Sequence, residues 1–90
     1  MRVRQNPHAA WRVLEGHAFI VPTGCTSVVE LDDVASFIWG LIEVEHDVDD
    51  VVNRVCAEFA VEPDRARGDC ATFLQDMAAR GLVAMSQGDP

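Results

Sequence analysis

The sequence predicts an α+β domain, in which a three-stranded antiparallel meander is followed by a three-helix bundle. Two observations predict it. Residues 11–31 contain three short apolar stretches separated by turn residues, and residues 32–80 contain three longer segments with apolar residues at helical spacing. Because the chain has 90 residues, 49% of them hydrophobic, we expect one domain over 1–90.

The first two strands are predicted as a tight hairpin. The stretches WRVL (11–14) and HAFIV (17–21) are apolar and aromatic, and they flank the dipeptide Glu15-Gly16. A two-residue loop that contains glycine is typical of such a hairpin.

The third strand is predicted over TSVVEL (26–31), after the turn signal Pro-Thr-Gly at 22–24. Side chains alternate across a strand, so Val29 and Leu31 share one face. We expect both of them to point inward, toward the helices.

The first predicted helix begins at Asp32 or Asp33, since either side chain can cap the free N–H groups of an opening turn. Its apolar residues recur at i, i+3, i+4, i+7 and i+8, which is the period of a helical face. Two further apolar residues widen that face beyond what one partner would cover. The widened face comprises Val34, Ala35, Phe37, Ile38, Trp39, Leu41 and Ile42.

The second and third helices follow from the same apolar period. The second is expected from about 47 to 60, and the third from Pro63 or Asp64, because proline is tolerated in a first helical turn. Gly81 is expected to cap the end of the third helix. Residues 82–85 are either a short final strand or an apolar tail on the core.

The charge balance argues against nucleic-acid binding. The predicted order of elements is winged helix-turn-helix-like, which makes DNA binding an alternative to be weighed. However, the chain has fifteen Asp and Glu against seven Arg and no Lys, for a net charge of −8. Charges on the third helix cancel and those on the second are mostly acidic, whereas phosphate contacts dominate nucleic-acid affinity. We therefore expect no nucleic-acid partner.

The same charge disfavours binding to an anionic membrane. No apolar run approaches the roughly 18 residues of a membrane span. The basic N-terminus lacks the apolar segment of a secretory signal. We expect a cytoplasmic protein that does not bind membranes.

No residue constellation typical of catalysis is present. The chain lacks the GxGxxG, GxxxxGK[ST], HExxH and GxSxG motifs. Its three histidines lie in different predicted elements, and its three cysteines form no CxxC pair. Cys56 and Cys70 fall on apolar helical faces, where free cysteine acts as a small hydrophobe. We expect no enzyme, no cofactor and no bound metal.

Four segments in a fixed order carry a family resemblance. They are WRVLEGHAFIV, ELDDVASFIWGLIE, DVDDVVNRVCAEF and DCATFLQDMAARGLV, which cover about residues 10–85. In order and spacing they resemble the PqqD family of peptide chaperones, which is related to recognition elements of pathways that modify ribosomally made peptides. Asp32 stands where the family usually has Asn, a small change because both residues cap helices.

The resemblance implies a binding function. PqqD-like proteins bind the leader segment of a precursor peptide and present it to a modifying enzyme, often a radical S-adenosylmethionine enzyme, as in pyrroloquinoline quinone biosynthesis. The leader adds as a strand beside the third strand, in a groove walled by the third helix. Carried onto this chain, the peptide-binding residues are Thr26, Ser27, Val28, Val29, Glu30, Leu31, Asp69, Phe73, Asp76, Met77 and Arg80.

Simpler interpretations of these residues stay open. Phe73 and Met77 at helical spacing are also typical of plain core. Asp76 and Arg80 form an i, i+4 pair that contributes only about 0.2–0.5 kcal/mol if it lies on the surface. An open edge strand also invites pairing with a second copy of the chain, so homodimerisation competes with peptide binding.

Overall fold

The computed structural model describes residues 1–21 and 28–86. This part of the chain contains two small antiparallel sheets and three α-helices, and the predicted α+β class is confirmed. In chain order the elements are β1 (Arg2–Gln5), β2 (Ala10–Leu14), β3 (His17–Val21), β4 (Val29–Glu30), α1 (Asp33–Leu41), β5 (His46–Asp47), α2 (Val48–Phe59), α3 (Pro63–Ala79) and β6 (Val83–Ser86).

The predicted meander is the sheet with strand order β2-β3-β4. Its first hairpin closes through Glu15 and Gly16, whose φ angles are 54° and 83°. Positive φ at both loop residues is the backbone of a type I′ turn, whose twist matches that of the flanking strands. The third strand is shorter than predicted: β4 spans Val29–Glu30, and positions 26 and 27 lie outside the described residues.

A second sheet, with order β5-β1-β6, was not predicted. Its central strand β1 was missed because it has a single apolar residue, Val3, between two arginines, and because its partners lie more than forty residues away in sequence. Val3 is buried, and the side chain of Gln5 donates a hydrogen bond of 2.8 Å to the Trp39 carbonyl. The tail at 82–85 contributes strand β6 to this sheet, so the first of its two predicted alternatives is correct.

The helices begin where the sequence predicts. The side chain of Asp32 accepts a hydrogen bond of 2.8 Å from the Ala35 N–H, and Asp47 accepts one of 2.9 Å from the Asp49 N–H. These caps satisfy N–H groups that have no partner within the helix. Helix α3 has Pro63 in its first turn, as expected.

Helix α3 ends in a glycine cap. The Gly81 N–H donates to the Ala78 carbonyl at 3.0 Å, and the Leu82 N–H donates to the Met77 carbonyl at 2.9 Å. Gly81 has a φ of 75°, and this pair of bonds is the Schellman motif. The motif turns the chain from α3 directly into β6, which fixes where the second sheet lies.

The core lies between the meander and the helices. Trp39 of α1 is fully buried and packs against the ring of Trp11 on β2 in a T-shaped pair with centroids 6.0 Å apart. Cys70 is buried and free, and this burial raises the pKa of its thiol. Cys56 is partly buried against the same core, which confirms the structural role predicted for both residues.

Within the described residues, no helix has the length and apolar character needed to cross a membrane.

Candidate functional site

Strand β4 has one open edge. It pairs with β3 on one side, and no strand among residues 1–21 and 28–86 pairs with its other side. The Leu31 N–H donates to the Ala18 carbonyl at 2.9 Å, so Leu31 directs its backbone groups toward β3. The direction of the backbone N–H and carbonyl groups alternates along an antiparallel strand. Val29 therefore also directs these groups toward β3, whereas Val28 and Glu30 direct them outward. The open edge therefore presents backbone groups of Val28 and Glu30.

A serine hydroxyl holds the end of this edge in place. The Ala18 N–H donates to Ser36 Oγ at 2.8 Å, and Ser36 Oγ donates to the Leu31 carbonyl at 3.1 Å. The hydroxyl thus replaces one rung of the ladder between β3 and the residue that follows β4. It ties the edge strand to the first turns of α1. Ser36 was not predicted as a site residue, and no motif in the sequence singles it out.

A groove lies beside the junction of β4 and α1. Its volume is about 340 Å³, and it is bounded by the N-terminal half of α1 on one side and by α3 on the other. The apolar floor is flanked by two carboxylates. The lining residues are Asp32, Val34, Ala35, Ile38, Asp69 and Phe73.

Two of the five residues predicted on α3 line this groove. Asp69 and Phe73 face it, and the Asp69 carboxylate also lies 3.8 Å from the guanidinium of Arg65. Phe73 is half-buried and packs against the core with one side. The α3 wall is therefore partly apolar and partly acidic.

The other α3 residues lie apart from the groove. Met77 is only 2% exposed and belongs to the core, which was the alternative to a groove residue for this position. Asp76 and Arg80 form an exposed ion pair of 3.3 Å. Neither of these features lines the groove.

The predicted residues of the edge strand lie on two opposite faces of the sheet. Leu31 is 4% exposed and points into the core, and Val29 packs against the core, as expected. Val28 is 54% exposed and Glu30 lies on the surface, on the opposite face of the sheet. Thr26 and Ser27 lie outside the described residues.

The groove residues that were not predicted from the sequence lie on α1. Val34, Ala35 and Ile38 were assigned to a widened apolar face that was expected to pack under the sheet and against the later helices. In the structure the whole of that face contacts the core, and three of its residues also line the groove. The excess width of the face was the available signal, since apolar surface beyond what the core covers marks a binding groove.

His17 forms an ionic cluster at the N-terminus of α1. Its Nε2 lies 2.7 Å from Asp33 Oδ1, and its Nδ1 lies 3.7 Å from Glu30 Oε2. The hydrogen bond with Asp33 raises the pKa of His17 above its usual value, with smaller contributions from the Asp33 and Glu30 charges. The cluster connects β3, the edge strand β4 and the start of α1.

A second apolar depression lies on the opposite face of the meander, and we call it the outer-face depression. Its volume is about 450 Å³, larger than that of the groove. Val21 and Leu14 are among its exposed apolar residues. It is lined by Ala10, Trp11, Arg12, Leu14, Phe19, Val21 and Val28.

Among the described residues, no three His, Cys, Asp or Glu side chains come together in a group that could hold a metal ion.

One comparison with known proteins identifies a family, and another identifies a shared fold. The family model "Coenzyme PQQ synthesis protein D (PqqD)" matches residues 9–83. A solved structure described as "TbiB1 in Complex with the TbiA(beta) Leader Peptide" superposes with a TM-score of 0.81 at 21% identity, covering 94% of this chain and 99% of that one. No curated protein matches the sequence. The likeness to TbiB1 establishes a shared fold.

Proposed function

This chain is a member of the PqqD family, and on that premise we propose that it binds the leader segment of a ribosomally made precursor peptide by β-strand addition. The observation that carries the proposal is the open edge of β4 beside the groove between α1 and α3. A protein with the same fold, TbiB1, is described in complex with a leader peptide. That description supports the same type of ligand here.

The backbone of the leader supplies affinity in this proposal. Val28 and Glu30 direct N–H and carbonyl groups outward. An extended peptide forms hydrogen bonds with these groups through its backbone, whatever its side chains are. The edge is already held by Ser36 and by the Asp32 cap, so little ordering is required when the leader binds.

Side chains of the leader supply selectivity. Residues of an added strand alternate between the two faces of the sheet, so every second residue points to the inner face. That face continues into the apolar floor formed by Val34, Ala35 and Ile38, with Phe73 opposite. A large apolar leader residue at this position would be removed from water, which stabilises such complexes by about 1.5–3 kcal/mol.

The protein acts in this proposal as a non-catalytic adaptor. It holds the leader while a separate enzyme, of the radical S-adenosylmethionine type or another class, modifies the rest of the precursor. Family membership supports a place in pyrroloquinoline quinone biosynthesis or in a related peptide-modification pathway. Genes for a short precursor and a modifying enzyme beside this gene would identify the pathway.

A second candidate function is homodimerisation. Two features favour it: the exposed apolar residues of the outer-face depression, and the second edge of the meander at β2, which no strand in the described part of the chain pairs with. Like β4, strand β2 can pair with another chain. Peptide binding is preferred because β4, unlike β2, is the edge that the groove adjoins.

The test is a pair of proline substitutions at the two edges. A peptide that binds the protein is first selected from a displayed library of random twelve-residue peptides. Val28→Pro removes an N–H that points outward from the β4 edge, and the affinity for the selected peptide should fall by about 1 kcal/mol or more, roughly fivefold.

Val13→Pro is the matched control. In a hairpin with a two-residue loop, Leu14 and His17 exchange hydrogen bonds, so Val13 directs its N–H away from β3, at the β2 edge. This variant should bind the peptide normally. Circular dichroism confirms that both variants are folded. If the library yields no binding peptide, or if Val13→Pro weakens binding while Val28→Pro does not, the proposed β4 site is wrong.

A further inference from the structure

Three side chains lie in one row across the outer face of the meander. Arg12 on β2 is paired with Phe19 on β3, and Phe19 is paired with Glu30 on β4. Glu30 ends the row at the open edge, and its side chain is 63% exposed. An added strand would place a fourth side chain in this row, directly beside the Glu30 carboxylate.

We infer that the leader carries lysine or arginine at the position beside Glu30. This inference rests on the proposed function, because it concerns the charge of a peptide bound at the β4 edge. Side chains on the same face of neighbouring strands lie about 4.5–5.5 Å apart at Cβ, where opposite charges attract and like charges repel. The preference holds whether the added strand runs parallel or antiparallel to β4. In either case the residue beside Glu30 has its side chain on the outer face of the sheet.

The negative charge of Glu30 is only weakly compensated within the protein. His17 is its nearest cation, at 3.7 Å, but the closer contact of that imidazole is with Asp33 at 2.7 Å. Arg12 lies two strands away, about 10 Å by strand spacing, which is close to the screening length in physiological salt. A cation on the bound strand would be nearer than Arg12.

The groove side of the β4 edge is also negatively charged. Asp32 and Asp69 flank the apolar floor, so an acidic leader residue is disfavoured on either face of the added strand. The ligand class is therefore an extended peptide in which a large apolar residue, facing the groove, adjoins a basic residue that faces outward beside Glu30.

The experiment compares peptide selection by two charge variants. The displayed twelve-residue library is selected in parallel on the wild-type protein, on Glu30→Lys and on Glu58→Lys. Glu58 is exposed on α2, so this control changes the net charge equally and leaves the meander unaltered. We expect wild type and Glu58→Lys to enrich Lys or Arg beside an apolar residue, and Glu30→Lys to enrich Asp or Glu at that position.

Synthetic peptides then measure the effect directly. For a selected peptide, exchanging the enriched Lys for Glu should weaken binding to wild type by about two- to fivefold and strengthen binding to Glu30→Lys by a similar factor. Equal charge preferences in all three selections would overturn the inference while leaving the proposed function intact. Failure to enrich any peptide on any of the three proteins would overturn both.

Discussion

The groove between α1 and α3 and the outer-face depression of the meander differ in their surroundings. The outer-face depression is the larger, about 450 Å³ against about 340 Å³ for the groove. However, it lies over the outer face of the sheet, from β2 across to Val28, whereas the groove lies between two helices at Asp32, where the chain leaves the open edge of β4. Apolar surface gives non-directional attraction, and an open strand edge gives direction and register. The smaller depression is therefore the better site for an extended peptide.

Filling each depression with the same side chain should give the largest difference in affinity for the selected peptide. Ala35→Trp places an indole in the groove, where it displaces the apolar residue of the leader, and the selected peptide should lose about 2 kcal/mol of binding free energy. Leu14→Trp fills the outer-face depression on its β2 side, away from the β4 edge, and should leave that affinity unchanged. Isothermal titration calorimetry measures both. Equal losses in the two variants would show that the distinction between the depressions is wrong.

The hydrogen bonds of Ser36 should account for the next largest effect. Ser36→Ala removes the acceptor of the Ala18 N–H and the donor to the Leu31 carbonyl, and these partly buried groups then lack a partner. We expect the free energy of unfolding in urea to fall by about 1 kcal/mol. Val21 in the outer-face depression is exposed and has no hydrogen-bonding side chain, so Val21→Ser should change stability less. An unchanged unfolding midpoint for Ser36→Ala would contradict the role given to this hydroxyl.

The His17 cluster predicts a smaller, pH-dependent effect. Because the folded-state pKa of His17 is raised, its charged interactions with Asp33 and Glu30 stabilise the fold fully below the ordinary pKa of about 6.5. This stability is lost as pH rises through the raised pKa. Wild type should therefore exceed His17→Gln in thermal stability at pH 5.5 and match it at pH 9. A difference that grows with pH would have the wrong sign.

Local signals predicted most of the fold. The helix starts at Asp32, Asp47 and Pro63 and the end at Gly81 were predicted, since capping depends on residues a few positions apart. The β2–β3 hairpin was predicted for the same reason. The second sheet was not, because Arg2–Gln5 pairs with strands near 46 and 83, and nothing in a four-residue segment identifies so distant a partner.

The candidate site was predicted only in outline. An open edge at the third strand and a wall at Asp69 and Phe73 followed from the family resemblance, and the structure places these two residues at a groove beside that edge. The floor on α1 was missed, because helical periodicity does not show which part of a wide apolar face lacks a partner. Met77 shows the reverse difficulty, since spacing alone does not separate a groove wall from the core.

Amide hydrogen exchange with and without the selected peptide tests the central claim most directly. In the free protein the Leu31 N–H is already bonded to the Ala18 carbonyl, whereas the Glu30 N–H points outward. Saturating peptide should slow exchange at Val28 and Glu30 and leave Val13, at the β2 edge, unchanged. Protection at Val13 with none at Glu30 would contradict the account and place the ligand on the opposite edge of the meander.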